Sequence, residues 1–377
     1  MKGTVEIVTG LGKTFIALHA LRQMPIDKSV THLFLAEVVD RKRDLYIEIL
    51  KYNAIFKTDI LNDYNLQFAC YQSAYKWVDK KFGLVIGDEI HDGLTPSYSK
   101  FFKNNKYDAI IALSALINQD VEYKLGSNTI VTKGDLLNEI APICYSYNLK
   151  ESISNETSRN LNINVIFNHL DSKNKYIKGG STKKPFYQTE YSAYKYWDGR
   201  FKKAYFIDDP ERKGREFNLC MSRRANILYN LKTKINTVKN LLLGLNTKSI
   251  LFSNSLKALD QITPNVISSK KSKLMNDIIK DNFNNDKINI IASFKKLKQG
   301  VNLVGLDNCI IMSYYSKDSD FIQRIGRLRD NGQVGNVFIL VTKNTQEEIW
   351  FSKMIEGHDL KINYFNNVEE CLKSIKN

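Results

Sequence analysis

The chain has 377 residues, 43% hydrophobic and 25% charged, with 19 glycines and six prolines. That profile predicts a folded protein of two domains and excludes disordered, collagen-like and linker-dominated chains. Fifty-five Lys and Arg against 40 Asp and Glu leave +15, which suits a polyanion partner because neutralised phosphates release counterions. The same excess also fits a solubility bias in a Lys- and Asn-rich chain. The longest apolar runs, Leu241 to Leu245 and Cys309 to Met312, are far too short to span a membrane. Met1-Lys2-Gly3 opens into mixed polar sequence, so a soluble, cytoplasmic protein without a leader peptide is expected. Five scattered cysteines with no CxxC spacing argue for a reducing compartment. The five histidines form no ligand pair, so no metal site built from side chains alone is expected.

In chain order, short apolar runs alternate with amphipathic stretches. Val5 to Thr9, Thr31 to Ala36, Leu66 to Tyr71, Phe82 to Asp88 and Asp108 to Ser114 read as buried strands. Lys13 to Gln23, Asp40 to Tyr52 and Gln72 to Lys80 read as the helices between them. This alternation predicts a parallel sheet covered on both faces. Asn148 to Asn160 is polar and aperiodic and reads as a connection, placing the domains at 1–155 and 156–377. A strand at Ile163 to Asn168 precedes a basic, aromatic-rich insertion near 173–215, with a helix around Thr189 to Phe201. There, aromatic rings could stack on bases while lysines neutralise phosphates, or the rings could simply pack on the second domain. Alternation then resumes. Helices are expected at Leu219 to Leu243, Leu274 to Phe283, Asp318 to Leu328 and Thr345 to Glu356. Strands are expected at Ser249 to Ser253, Ile288 to Ser293, Asn308 to Ser313 and Asn336 to Thr342.

Three segments carry chemistry. In EIVTGLGKT (Glu6 to Thr14) an apolar strand enters a glycine turn and then a helix. Backbone N–H groups of Thr9, Gly10, Leu11 and Gly12, with the helix N-terminus, would form an anion nest for phosphates. Lys13 would reach the outer phosphates and the Thr14 hydroxyl would ligate Mg2+. Ile7 stands where such loops usually carry their first glycine, so Gly10 and Gly12 must supply the turn. In GLVIGDEIHD (Gly83 to Asp92), Asp88 and Glu89 end an apolar strand, where open α/β sheets place ligand chemistry. Asp88 could hold Mg2+ through water, Glu89 could orient and deprotonate an attacking water, and His91 could couple the site to the other domain. In FIQRIGRLRD (Phe321 to Asp330), Gln323, Arg324 and Arg327 could face the charge that spreads over a transferring phosphoryl group.

Together, in this order and spacing, these segments resemble the superfamily 2 helicases and translocases of the DExH type. Further pieces agree. Tyr71-Gln72-Ser73 is similar to the segment that family places near the nucleic-acid backbone. Ser114-Ala115-Leu116 is similar to its coupling motif, and SILFSNS (Ser249 to Ser255) to the first strand and turn of its second lobe. KLKQGVNLVGLDNCIIM (Lys296 to Met312) resembles a nucleotide-contacting motif, here with Gly300 and Asn302.

The resemblance implies an α/β fold of two tandem RecA-like domains, each a mainly parallel sheet flanked by helices, with ATP and Mg2+ as cofactors. The first domain would supply Gly10, Gly12, Lys13, Thr14, Asp88 and Glu89, and the second Arg324 and Arg327, with ATP between them. The expected activity is ATP-dependent movement on, or unwinding of, nucleic acid by a monomer, with DNA preferred to RNA on the likeness to phage and repair members. Separately, the Asn- and Lys-rich composition and small size fit a phage or mobile-element origin. The alternatives are a nucleic-acid-stimulated ATPase that separates no strands and a degenerate, non-catalytic binding module.

Three departures from the family pattern stand out. The segment that usually contacts adenine upstream of the phosphate loop does not appear before it, which leaves base selectivity open or marks a truncated start. Asp330 occupies the place of a second finger arginine, with Arg329 one step earlier. Leu116 removes a hydroxyl from the coupling motif.

Overall fold

The computed structural model describes residues 2–8, 10–39, 41–125, 129–155, 159–181, 184–294, 303–314, 321, 324–328, 333–356 and 360–376. Thr9, Gly300, Asn302, Gln323 and Arg329 lie outside these residues, as do five of the eleven positions of the helix expected at Asp318 to Leu328. The chain divides into two compact units. One comprises Met1–Ser158 with Ser319–Arg329, the other Arg159–Asp318 with Asp330–Asn377.

The first unit is built on strands β1 (Lys2–Ile7), β2 (Thr31–Ala36), β3 (Asn65–Cys70), β4 (Lys81–Asp88) and β5 (Lys106–Ser114). A small hairpin, β6 (Glu122–Leu125) and β7 (Thr129–Thr132), precedes β8 (Ile143–Tyr147). The main sheet runs in the order β3-β2-β4-β5-β1-β8, with every neighbouring pair parallel. Alternate residues of β2 show why its run Leu33 to Ala36 is apolar throughout. Leu33 and Leu35 pack on one face with Phe101, Phe102 and Leu137. Phe34 and Ala36 pack on the other with Leu18 and Leu21 of helix α1 (Lys13–Arg22) and Ile49 of helix α2 (Arg41–Phe56). A strand covered on both sides cannot alternate polar and apolar. Because all strands run one way, the segments that follow β1, β2, β3, β4 and β5 leave from a single sheet edge.

The second unit holds β9 (Leu161–Asn168), the hairpin β10 (Ile177–Ser181) and β11 (Lys184–Gln188), then β12 (Ser249–Ser253), β13 (Val266–Ile267), β14 (Ile290–Phe294), β15 (Asn308–Ile311), β16 (Gly335–Thr342) and β17 (Ile362–Phe365). Its parallel sheet has the order β13-β14-β12-β15-β16-β9-β17. Ile166, Leu251, Ile310 and Phe338 pack on one face beneath Ile235, Val238 and Leu241 of the helix Lys232–Gly244.

Two expected helices differ from those observed. The stretch Gln72 to Lys80 contains only the short helix Tyr71–Ala74. The single helix at Leu219 to Leu243 is two, Pro210–Tyr229 and Lys232–Gly244. Leu231 adopts an extended backbone at φ −60°, ψ 127°, so the chain turns there although the apolar pattern runs on. The 173–215 insertion forms the β10–β11 hairpin and the helix Glu190–Ala204, whose Thr189 cap accepts from the Ser192 amide. Phe206 beyond this helix is 86% exposed, and Tyr187, Tyr196 and Tyr205 are also exposed, so these rings are not packed as core.

Candidate nucleotide site

The phosphate-loop segment forms as its sequence demands. Gly10 and Gly12 adopt φ +97° and +74°, left-handed conformations that glycine accepts without steric cost. Gly12 caps α1, its carbonyl accepting from the Phe15 amide at 2.8 Å. The first turn of α1 carries no acid, leaving its N-terminal partial charge available to an anion. Phe321 and Arg324–Leu328 belong to this same unit. A Cβ placed on Gly10 would lie 3.8 Å from the Gly326 carbonyl oxygen. Arg324 is buried and Arg327 half-buried.

At the end of β4, Asp88 and Glu89 are both buried. Glu89 has a left-handed backbone at φ 46°, ψ 56° and caps the short helix Ile90–Gly93. Lys13 Nζ donates to Glu89 Oε1 at 3.2 Å. His91 Nδ1 lies 2.9 Å from Ser114 Oγ at the end of β5, and 3.4 Å from Glu89 Oε2. Burial disfavours the Glu89 charge, but Lys13 and His91 outweigh it and hold this carboxyl far below the usual range. Burial also disfavours protonated His91, yet Glu89 and Asp92 raise its affinity for the proton. Asp88 moves the other way: burial and adjacent Glu89 push it up, against the pull of Arg41 and Lys13.

Arg41 is the residue the motifs did not reveal. It is buried at the start of α2. Its Nε donates to Asp88 Oδ2 at 2.6 Å, and its Nη2 to Thr14 Oγ1 at 2.7 Å and Glu48 Oε2 at 2.9 Å. Burial works against the guanidinium charge, but Asp88 and Glu48 more than offset it and raise its pKa. One sequence signal was available. Arg41-Lys42-Arg43 crowds cations into a helix's first turn, where the helix dipole disfavours them, so at least one needs a local anion.

The structure thus brings Gly10, Gly12, Lys13, Thr14, Asp88, Glu89, His91 and Ser114 to one sheet edge. Leu11, between the two glycines, is half-buried and packs against the β1–α1 core. Tyr71 requires correction. Expected at a polymer, it is 2% exposed, and its hydroxyl donates to the Asp88 carbonyl at 3.1 Å. The small glycines on either side of the acids make room for it. A Cβ on Gly93 would stand 2.6 Å from the Tyr71 ring, and one on Gly87 3.1 Å from its hydroxyl. Its neighbours Gln72 and Ser73 are exposed. The residues fit a metal-bound nucleotide in two ways. The glycine turn and helix end offer a phosphate cradle, and the buried Glu89 Oε2 accepts no well-formed hydrogen bond, its nearest cationic neighbour being His91 Nδ1 at 3.4 Å.

Known proteins resemble the chain in both halves. The family model of the type III restriction enzyme res subunit matches residues 1–119, and that of the helicase conserved C-terminal domain matches residues 226–332. DNA 3'-5' translocase XPB2 of Sulfurisphaera tokodaii is 23% identical over 367 residues, covering 92% of this chain and 79% of that protein. S. cerevisiae Dbp5 bound to RNA and ADP BeF3 superposes with a TM-score of 0.62 at 12% identity, over 100% of this chain and 88% of that one. The type ISP restriction-modification enzyme LlaBIII bound to DNA gives 0.58 at 13% identity, over 97% of this chain and 30% of that one. At such identities the structural likeness speaks for the fold alone: two tandem RecA-like domains, α/β throughout.

Proposed function

The chain belongs to the superfamily 2 helicases and translocases, and from that premise we propose that it couples ATP hydrolysis to movement along nucleic acid, DNA in preference to RNA. The observation that carries this reading is the linked set Lys13–Glu89–His91–Ser114, which joins a phosphate loop to a buried carboxylate and to the neighbouring strand.

Thr14 and Asp88 would hold Mg2+, and Lys13 with the Gly10–Gly12 turn would hold phosphates. Bound Mg·ATP supplies the bond to be cleaved and a metal charge that offsets the developing negative charge. Lys13 pairs with Glu89 in the resting chain. When Lys13 turns to phosphate, Glu89 loses its nearest cation, its proton affinity rises, and it becomes a better base toward an attacking water. His91 and Ser114 keep that carboxylate oriented and tie it to the segment after β5. Arg324 and Arg327 provide guanidinium groups for the charge that spreads during transfer. Gln72 and Ser73, exposed beside Tyr71, are positioned for a polymer backbone. The preference for DNA draws on the DNA translocase relative and on the +15 charge. No described helix is long and apolar enough to cross a membrane.

Phosphate release measured without polymer, and with single-stranded DNA, duplex DNA or RNA, tests the proposal. Stimulation by DNA above RNA is the expected result. Absence of turnover under all four conditions overturns it.

A further inference from the structure

Thr14 and Asp88 are the two side chains suited to a divalent cation here, and a cation already bridges them: the Arg41 guanidinium, at 2.7 Å and 2.6 Å. We infer that Arg41 is a built-in counter-cation that holds the metal-binding pair in the nucleotide-free chain and yields it when metal and nucleotide enter together. This presupposes that the site binds a nucleotide.

Three observations support it. First, the atoms Arg41 occupies, Thr14 Oγ1 and Asp88 Oδ2, are among those a metal or its water would use. Mg2+ takes oxygen ligands at about 2.0–2.1 Å in near-octahedral order, and an oxygen lone pair aimed at a guanidinium N–H is not free for a metal. Second, Arg41 has somewhere else to go. Its Nη2 also donates to Glu48, whose side chain is about one-third exposed, whereas those of Asp88 and Arg41 are almost fully buried. A swing toward Glu48 keeps a partner for the charge as the inner pair is released. Third, the seat is imperfect. Arg41 Nη1 is buried with no hydrogen bond, so the guanidinium is held by fewer bonds than its five donors could make. A structural arginine sealed for stability would be expected to satisfy them, as buried polar groups generally do. The arrangement also has a reason to exist. Without Arg41, the adjacent buried Asp88 and Glu89 would repel each other with Lys13 and His91, both seated against Glu89, left to offset them. Arg41 lets the empty site keep its shape.

The test uses the full chain, wild type and with Arg41→Gln or Arg41→Lys. It has two readouts that need no turnover: thermal unfolding with Mg2+ alone, and binding of a fluorescent ADP analogue in EDTA and across a Mg2+ titration. Wild type should show no shift with Mg2+ alone. Arg41→Gln, which keeps a donor but loses the charge, should unfold at lower temperature and recover part of that loss when Mg2+ is added. Its Mg2+ requirement for nucleotide binding should fall by roughly tenfold or more, the scale of one charge-assisted hydrogen bond. Arg41→Lys, with one charge but no fork to span both oxygens, should fall between the two. The inference fails if Arg41→Gln is destabilised with no rescue by Mg2+, or if its Mg2+ requirement matches wild type while nucleotide still binds. If wild type binds no nucleotide with or without Mg2+, the nucleotide-site reading itself fails and takes this one with it.

Discussion

Each unit buries a carboxylate beside the carboxyl end of a strand, and the two are treated in opposite ways. In the second unit Glu347 is fully enclosed and fully satisfied. Lys234 Nζ donates to its Oε1 at 2.5 Å, the Thr342 amide to its Oε2 at 2.9 Å, and the Tyr314 hydroxyl lies 3.5 Å from its carbonyl. Lys234 and Glu347 are each 0% exposed, so neither can leave the other without a large desolvation penalty. In the first unit Glu89 and Asp88 are nearly as buried, but Glu89 Oε2 and Arg41 Nη1 are left without hydrogen bonds. Their cations include Lys13 and Arg41, the first residues of α1 and α2. The difference separates a staple from a site. A carboxylate with every oxygen firmly bonded fixes structure, while the looser contacts of Glu89 suit the chemical role proposed for it.

The widest separation between the two should appear in kinetics. Glu89→Gln and Arg327→Ala should each lower ATP turnover by about a thousandfold or more. Both should still bind the ADP analogue, and Glu89→Gln should bind DNA near wild-type strength. Normal turnover in Glu89→Gln would remove that carboxylate from the chemistry. An Arg327→Ala chain that no longer folds would mark that residue as structural.

The second unit should answer in stability instead. Glu347→Ala strands Lys234 and should cost about 3–5 kcal/mol by urea unfolding. Replacing both, Lys234→Met with Glu347→Leu, should recover a large part of that loss because no unpaired charge remains. A Glu347→Ala chain as stable as wild type would undo the contrast.

The smallest effect tests the correction at Tyr71. Tyr71→Phe removes one buried hydrogen bond and should cost about 1 kcal/mol, with polymer affinity unchanged. A clear loss of DNA binding without loss of stability would put that residue back at the polymer.

What could be read from the sequence follows how local each feature is. The phosphate loop and the DEIH acids were legible because strand, turn and helix are contiguous, and chain spacing alone fixes where Lys13, Thr14, Asp88 and Glu89 stand. Both sheets were legible because strands covered on two faces carry unbroken apolar runs, as LFLA in β2 and ILF in β12 do. The edge strands β8 and β17 were not, although the edge strand β3 was. Residues of β8 and β17 such as Tyr145 and Tyr364 are exposed and mixed in character, so ICYSY and INYF carry no buried-strand signal. Arg41 was invisible for another reason. It lies 27 residues from Thr14 and 47 from Asp88, and only the parallel order of β1, β2 and β4 gathers all three. Tyr71 was misplaced because motif resemblance locates a segment, not the direction each side chain takes. Gln72 and Ser73 face solvent while their neighbour turns inward.

The left-handed backbone of Glu89 has an evolutionary corollary. A side chain there works against its own torsion angles, a strain of roughly 1–3 kcal/mol that glycine would relieve. Random drift at this codon therefore has a downhill route on folding grounds alone. On the proposed function, the carboxylate's part in activating water is what offsets this conformational preference.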